Sequence, residues 1–224
     1  MQVSAIEGHR NWAASYDAGL NPLLALETRL LLERLSPLRA TRFLDIACGT
    51  GRWMLWAQQR GSRAFGIDFC AEMLREASRK PGLAGYLSLA DAGRVPVADG
   101  AADLTLCSFA LGYLPSPRQA FAEMARVSRR GGHVIVTDLH PRALAAGWTR
   151  SFRWDGQVYE MDHHLHPIAA WVAAAESAGL SLGWCLEASF GDPEREILRQ
   201  AGKDSLFPEL SRIPALLAMA WTKS

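Results

Sequence analysis

The 224 residues contain no apolar run long enough to span a bilayer, and no leader with a small-residue cleavage site is read at the start. The four cysteines, Cys48, Cys70, Cys107 and Cys185, lie far apart, with no C-x-x-C pair and no disulfide-framework spacing. A reducing, cytoplasmic location is the expectation. Net charge is also missing: a formal +1 leaves no electrostatic case for nucleic acid or an anionic membrane. The densest basic group, Arg126, Arg129 and Arg130, reads as a solvated helix C-terminus favoured by the helix dipole. Internal repeats and low-complexity segments are absent. The length suits a single α/β domain over 1–224 with room for a core.

Two further absences occur in the most informative stretch, Phe43 to Trp53. A short apolar strand there runs into Asp45, then a turn of small residues, then a helix. Glycine in such a turn lets backbone approach a ligand closely, and the following helix offers free N–H groups and a positive dipole end. This is the first βα turn of a doubly wound nucleotide-binding sheet. A pyrophosphate-binding turn requires a third glycine, but that position holds Met54. A P-loop requires a lysine that is not there. Asp45 at the strand end would repel a pyrophosphate and suits a ligand carrying an ammonium group. S-adenosylmethionine is such a ligand.

The run Asp45-Ile46-Ala47-Cys48-Gly49-Thr50-Gly51 resembles motif I of the class I S-adenosylmethionine-dependent methyltransferases, of the small-molecule, type 11-like kind, with Ala47 in place of the first glycine. Later segments agree in order and spacing. Ala64 to Asp68 reads as the next strand, and the Asp68 carboxylate can accept two hydrogen bonds from a ribose diol. Phe69 is placed to pack on the adenine. A helix over 71–77 is stopped by Pro81-Gly82. The segment Leu87 to Ala92 resembles the one whose aspartate, here Asp91, meets the adenine amino group. Residues 103–111 read as the fourth strand, with Ser108 bordering the sulfonium. Residues 123–138 match the family's helix, glycine cap and fifth strand. Leu180–Glu187 and Ala215–Trp221 read as the last two strands.

The resemblance implies a Rossmann-like seven-stranded sheet in the order 3-2-1-4-5-7-6, its last strand antiparallel, with helices on both faces. It implies S-adenosyl-L-methionine as cofactor and S-adenosyl-L-homocysteine as product. The implied cofactor site is Tyr16, Asp45, Ala47, Gly49, Gly51, Asp68, Phe69, Asp91, Ala92 and Ser108.

Residues 1–36 are expected as a helical lid. Asn21-Pro22 starts a helix whose Leu23, Leu26, Leu30 and Leu31 line one face. Ahead of it, Trp12 to Asp17 either closes over the cofactor, with Tyr16 on its carboxylate, or packs that helix onto the sheet. Residues 139–166 show no clean period and fall at the carboxyl end of the sheet, where this fold places ligands. They are expected as an insert. Trp148, Phe152, Trp154 and Tyr159 in it either wall a pocket for a flat apolar acceptor or pack beneath a long connection.

His163, His164 and His166, with His140 or Asp162, invite a metal reading, but no fixed ligand spacing accompanies them, and no metal is expected. His140 is the first candidate for a base, His163 the second, with Tyr113 touching the acceptor. Methyl transfer often needs little beyond in-line alignment. The expected function is methyl transfer to a small-molecule acceptor by a monomer or homodimer. The alternatives are a cofactor-binding protein without transferase activity, transfer of another group from the sulfonium, or a nicotinamide oxidoreductase. The missing third glycine speaks against the last.

Overall fold

The runs that read as strands pair into a sheet covered on both faces, which is why β2 (Arg42–Ile46) and β5 (Ala102–Ser108) are buried along nearly their whole length. The computed structural model describes residues 1–224. In chain order, β1 (Gln2–Val3), α1 (Ala5–Trp12) and α2 (Pro22–Leu35) precede β2. Between β2 and β5 lie α3 (Arg52–Gln58), β3 (Arg63–Asp68), α4 (Ala71–Ser78) and β4 (Leu87–Leu89). After β5 come α5 (Arg118–Val127), β6 (Ser128–Leu139), α6 (Pro141–Ala145), β7 (Arg150–Trp154) and β8 (Gln157–Met161). The chain finishes with α7 (Ile168–Ser177), β9 (Leu180–Ala188), α8 (Asp192–Gln200), α9 (Phe207–Leu210) and β10 (Leu216–Lys223). No helix is long and apolar enough to cross a membrane.

The main sheet has the order β4-β3-β2-β5-β6-β10-β9. Counting only its own strands along the chain, this is 3-2-1-4-5-7-6. β10 runs antiparallel to both neighbours, as expected. On one face α5 and α7 bury Phe121, Met124 and Trp171 with Trp221, whose ring meets Phe121 edge-on at 5.0 Å. On the other, α2 and α3 bury Leu31, Leu35, Trp53 and Met54.

Local chemistry sets the helix starts. The Asn21 side-chain oxygen accepts the N–H groups of Leu23 and Leu24 at 2.9 and 3.3 Å, with Pro22 at the first position. The buried face of α2 is Leu26, Glu27, Leu31 and Leu35 rather than leucines alone. At α8 the Glu194 carboxylate accepts the Gly191 N–H at 2.8 Å and a forked ion pair from Arg29 of α2 at 3.2 and 3.1 Å.

Two expectations change. Gly131 and Gly132 do not cap α5, which ends at Val127. They lie within β6, where its register with β5 shifts, and a Cβ on Gly132 would sit 2.8 Å from the Arg129 carbonyl. Arg129 is therefore a strand residue, paired with Asp103 at 2.7 Å.

Residues 139–166 are mostly regular. They hold α6 and a hairpin, β7–β8, closed by Asp155 and Gly156, both at positive φ (46° and 74°), the two-residue turn suited to twisted strands. β1 adds to β8 in parallel, so the N-terminus and the hairpin form one three-stranded sheet. Trp12 stacks on Phe152 at 5.3 Å, and Gly8 leaves no room for a side chain, since a Cβ would lie 2.4 Å from Met161 Cγ. Helix α1 thus packs directly on the hairpin.

Candidate active site

At the carboxyl end of the parallel strands lies a cavity of about 390 Å³, most of its lining apolar. Its volume falls in the ordinary range of small-molecule sites. One half comes from strand ends: Ala47 and Gly49 after β2, Asp68 and Phe69 after β3, Asp91 and Ala92 after β4, and Ser108 and Phe109 after β5. The other half comes from the N-terminal segment (His9, Trp12, Tyr16), the hairpin region (Trp148, Arg150), Tyr113 beyond β5 and Phe190 between β9 and α8.

The turn after β2 is left-handed at Ala47, Gly49 and Gly51 (φ 59°, 54° and 80°). A Cβ on Gly49 would meet nothing within 4 Å, so the turn leaves open space beside its backbone. Gly51 serves packing instead: it caps α3, and a Cβ there would lie 2.5 Å from Leu83 Cδ1. Of the three non-glycine residues at positive φ, Ala47 and Phe109 line the cavity, placing backbone strain at two neighbouring strand ends in its wall.

The carboxylates differ in state. Asp68 accepts N–H groups from Gly49 and Cys70, both at 2.8 Å, and each oxygen keeps a lone pair for a diol. Burial raises its pKa above the usual carboxylate value against the pull of those N–H groups. Asp45 is buried behind the turn, and its Oδ1 has no hydrogen-bond partner. Burial pushes its pKa well up, opposed by Arg52. An orphaned buried carboxylate oxygen is costly and calls for a donor. Asp91 accepts the Gly93 N–H at 2.6 Å and sits at the cavity rim.

Tyr16 lines the cavity, and burial raises the pKa of its phenol, so the hydroxyl remains a donor. Tyr113 also lines the cavity, its ring 4.6 Å from the Arg150 guanidinium and its hydroxyl 3.8 Å from Met161 Sδ. Arg150 is charge-compensated by Asp138, which also accepts the N–H groups of Gly112 and Leu139, both at 2.7 Å.

The histidines selected from sequence lie elsewhere. His140 is buried with both ring nitrogens engaged: Nδ1 accepts the Arg142 N–H at 3.0 Å, capping α6, and Nε2 donates to Glu187 at 2.8 Å. Burial lowers its pKa, and it does not line the cavity. His163 bonds the Met161 carbonyl through Nδ1 at 3.3 Å, and His166 bonds the Leu114 carbonyl through Nε2 at 2.8 Å. Neither has a free nitrogen in the cavity wall, and no three His, Cys, Asp or Glu side chains converge as a metal site. Neither His140 nor His163 is positioned as a base.

The histidine in the cavity is His9, which sequence reasoning passed over. Its Nδ1 donates to the Ala5 carbonyl at 2.8 Å, fixing the tautomer and leaving Nε2 with a bare lone pair and no protein partner. It stands between Asp68 and Tyr113, whose ring it meets edge-on at 5.0 Å, and burial lowers its pKa. Spacing on α1 was the available signal: Ala5, His9 and Trp12 fall at i, i+4 and i+7, on one face.

Residues 44–136 match the family described as methyltransferase domain. A malonyl-[acyl-carrier protein] O-methyltransferase of Hamiltonella defensa is 31% identical over 123 residues, 54% of this chain and 47% of that one. A methyltransferase, GfsG, of Streptomyces halstedii is 30% identical over 165 residues, 69% of this chain and 58% of its own. The chain thus spans about half the length of the curated relatives it matches. Among solved structures, an S-adenosylmethionine-dependent methyltransferase from Mesorhizobium loti superposes with TM-score 0.65 at 20% identity, covering 84% of this chain and 94% of that one.

Proposed function

We propose that the chain, whose residues 44–136 match the methyltransferase-domain family, methylates a neutral, largely apolar small molecule from S-adenosylmethionine. When bound, that cofactor supplies a methyl group activated on a sulfonium.

The chain's residues fit it. The open space at Gly49 accommodates the amino-acid end, whereas Asp45, buried behind the turn, does not line the cavity. Asp68 has the free lone pairs for a ribose diol, and Asp91 with Ala92 borders the base. Tyr16 can donate its hydroxyl to a carboxylate.

The acceptor half supports the substrate class. Its one full charge, Arg150, is neutralised by Asp138, with only its buried Nε left without a partner, and aromatic rings make up much of the rest. An ionic acceptor would leave water without a new partner. His9 Nε2 accepts but cannot donate, so it selects an acceptor whose attacking atom carries a proton. It takes that proton as the methyl is received. The N-terminal segment and the hairpin together hold the acceptor and exclude water.

The observation that carries this reading is the single cavity joining the Asp68 half to the half holding His9. Its test is incubation with methyl-labelled S-adenosylmethionine and a panel of neutral hydroxy-, amino- and thiol-bearing aromatics. Label in an extractable small product supports the reading. Cofactor binding with no transfer to any of them identifies a binding protein instead.

A further inference from the structure

The cavity contains one hydroxyl whose proton is already committed. Ser108, at the end of β5, donates to Glu27 Oε1 at 2.7 Å. Glu27 lies on α2 with no exposed surface, and the same oxygen accepts the Thr137 hydroxyl at the end of β6. The second oxygen accepts the Arg52 guanidinium and the Trp53 indole N–H, the latter at 3.4 Å. This carboxylate therefore ties together the ends of β5 and β6 and the start of α3. Glu27 itself does not line the cavity, but Ser108 does, beside Phe109 and next to the glycine turn that follows the neighbouring strand β2.

A serine hydroxyl has one proton and two lone pairs. With the proton given to Glu27, and no protein donor reaching Ser108 Oγ, only lone pairs remain for the cavity. Such an oxygen attracts a cation and offers little to a neutral sulfur. In a largely apolar cavity that difference is not screened away as it would be in water.

We propose that Ser108, oriented by Glu27, favours the sulfonium cofactor relative to the uncharged thioether product at this site. The inference rests on the S-adenosylmethionine reading and adds a residue-level reason for product to leave. Ser108 is the contacting group and Glu27 the positioning residue. Replacing Glu27 by glutamine introduces an amide N–H that can donate to Ser108, turning the serine proton toward the cavity.

Calorimetric titration of the full chain with S-adenosylmethionine and, separately, S-adenosylhomocysteine tests this. Ser108→Ala is expected to weaken S-adenosylmethionine by about fivefold or more, leaving the homocysteine form within about twofold. Ser108→Thr, which keeps the hydroxyl, is expected to restore the preference. Glu27→Gln is expected to act in the same direction as Ser108→Ala. It leaves Arg52 without its partner, so if that variant does not fold, the two Ser108 variants decide. Equal weakening of both ligands, or no change in Ser108→Ala, overturns the proposal while the cofactor reading stands. Wild-type protein binding neither ligand overturns both.

Discussion

Thr50, in the turn that floors the cavity, donates its hydroxyl to Asp17 at 2.8 Å, and so binds that turn to the segment covering it. The other Asp17 oxygen meets Lys80, beyond α4, at 2.6 Å. The cover is thus latched at the nucleotide-binding turn itself. Asp17→Ala is expected to raise amide exchange over residues 13–20 and to speed cofactor release several-fold. Global stability should change by no more than about 1 kcal/mol, since Asp17 is half exposed. Hydrogen-exchange mass spectrometry checks the first effect, stopped-flow release the second. Unchanged exchange in that segment would remove the latch.

His9 makes activity and stability depend on pH in the same direction. Burial holds its folded pKa below the usual 6.5. The stability from its neutral form is fully present above pH 6.5 and is lost as pH falls toward the folded value. The acid limb of kcat/KM is expected below pH 6.5. His9→Gln should remove that limb and lower turnover by about a hundredfold, with S-adenosylmethionine affinity within about twofold. An unaltered pH–rate profile in His9→Gln would exclude the base role.

Asp103 governs acid stability from the opposite end of the sheet. It accepts the Thr41 hydroxyl and backbone N–H at 2.6 and 3.0 Å, the Arg42 N–H at 2.8 Å, and the guanidiniums of Arg42 and Arg129. Burial alone would raise its pKa, but these bonds win and hold it far below the carboxylate range. The contribution is present above about pH 4 and is lost as pH falls through the folded value. Denaturant titrations at pH 7 and pH 3 should show Asp103→Asn destabilised at both and more so at the higher pH. Equal destabilisation at both would contradict the pairing.

Ala47 holds a left-handed conformation that glycine adopts freely, at φ 59°. That conformation costs a side-chain-bearing residue about 1–2 kcal/mol, against about 0.4–1 kcal/mol of extra unfolded-state freedom for glycine. Ala47→Gly is expected to stabilise the protein by about 0.5 kcal/mol in urea unfolding, with cofactor affinity retained. Destabilisation would mean that the methyl group makes contacts worth more than the strain.

The cofactor half was legible because its residues sit at strand ends in fixed order. Gly49 and Asp68 follow short apolar runs, and the parallel sheet alone brings those ends together, while Asp45 lies within β2, outside the cavity lining. The acceptor half depends on contacts across the chain. Val3 pairs with Met161 and Trp12 stacks on Phe152, which no local period encodes. The hairpin did have a local signal: Asp155-Gly156 is a two-residue turn, and the flanking Ser151-Phe152-Arg153-Trp154 alternates, with Phe152, Tyr159 and Met161 on the buried face. His140 misled because its position at a strand's carboxyl end is right while its ring turns to Glu187. Glu27 was hidden among leucines: only tertiary structure shows that a carboxylate on an apolar helix face meets Ser108, Thr137 and Arg52.

The central claim is that the Asp68 half of the cavity holds S-adenosylmethionine. Native mass spectrometry of wild-type protein and Asp68→Ala, each offered S-adenosylmethionine and NAD together, tests it most directly. The account predicts one S-adenosylmethionine per wild-type chain, occupancy lowered tenfold or more in Asp68→Ala, and no NAD on either. Retained NAD, or S-adenosylmethionine bound equally by both proteins, would contradict it.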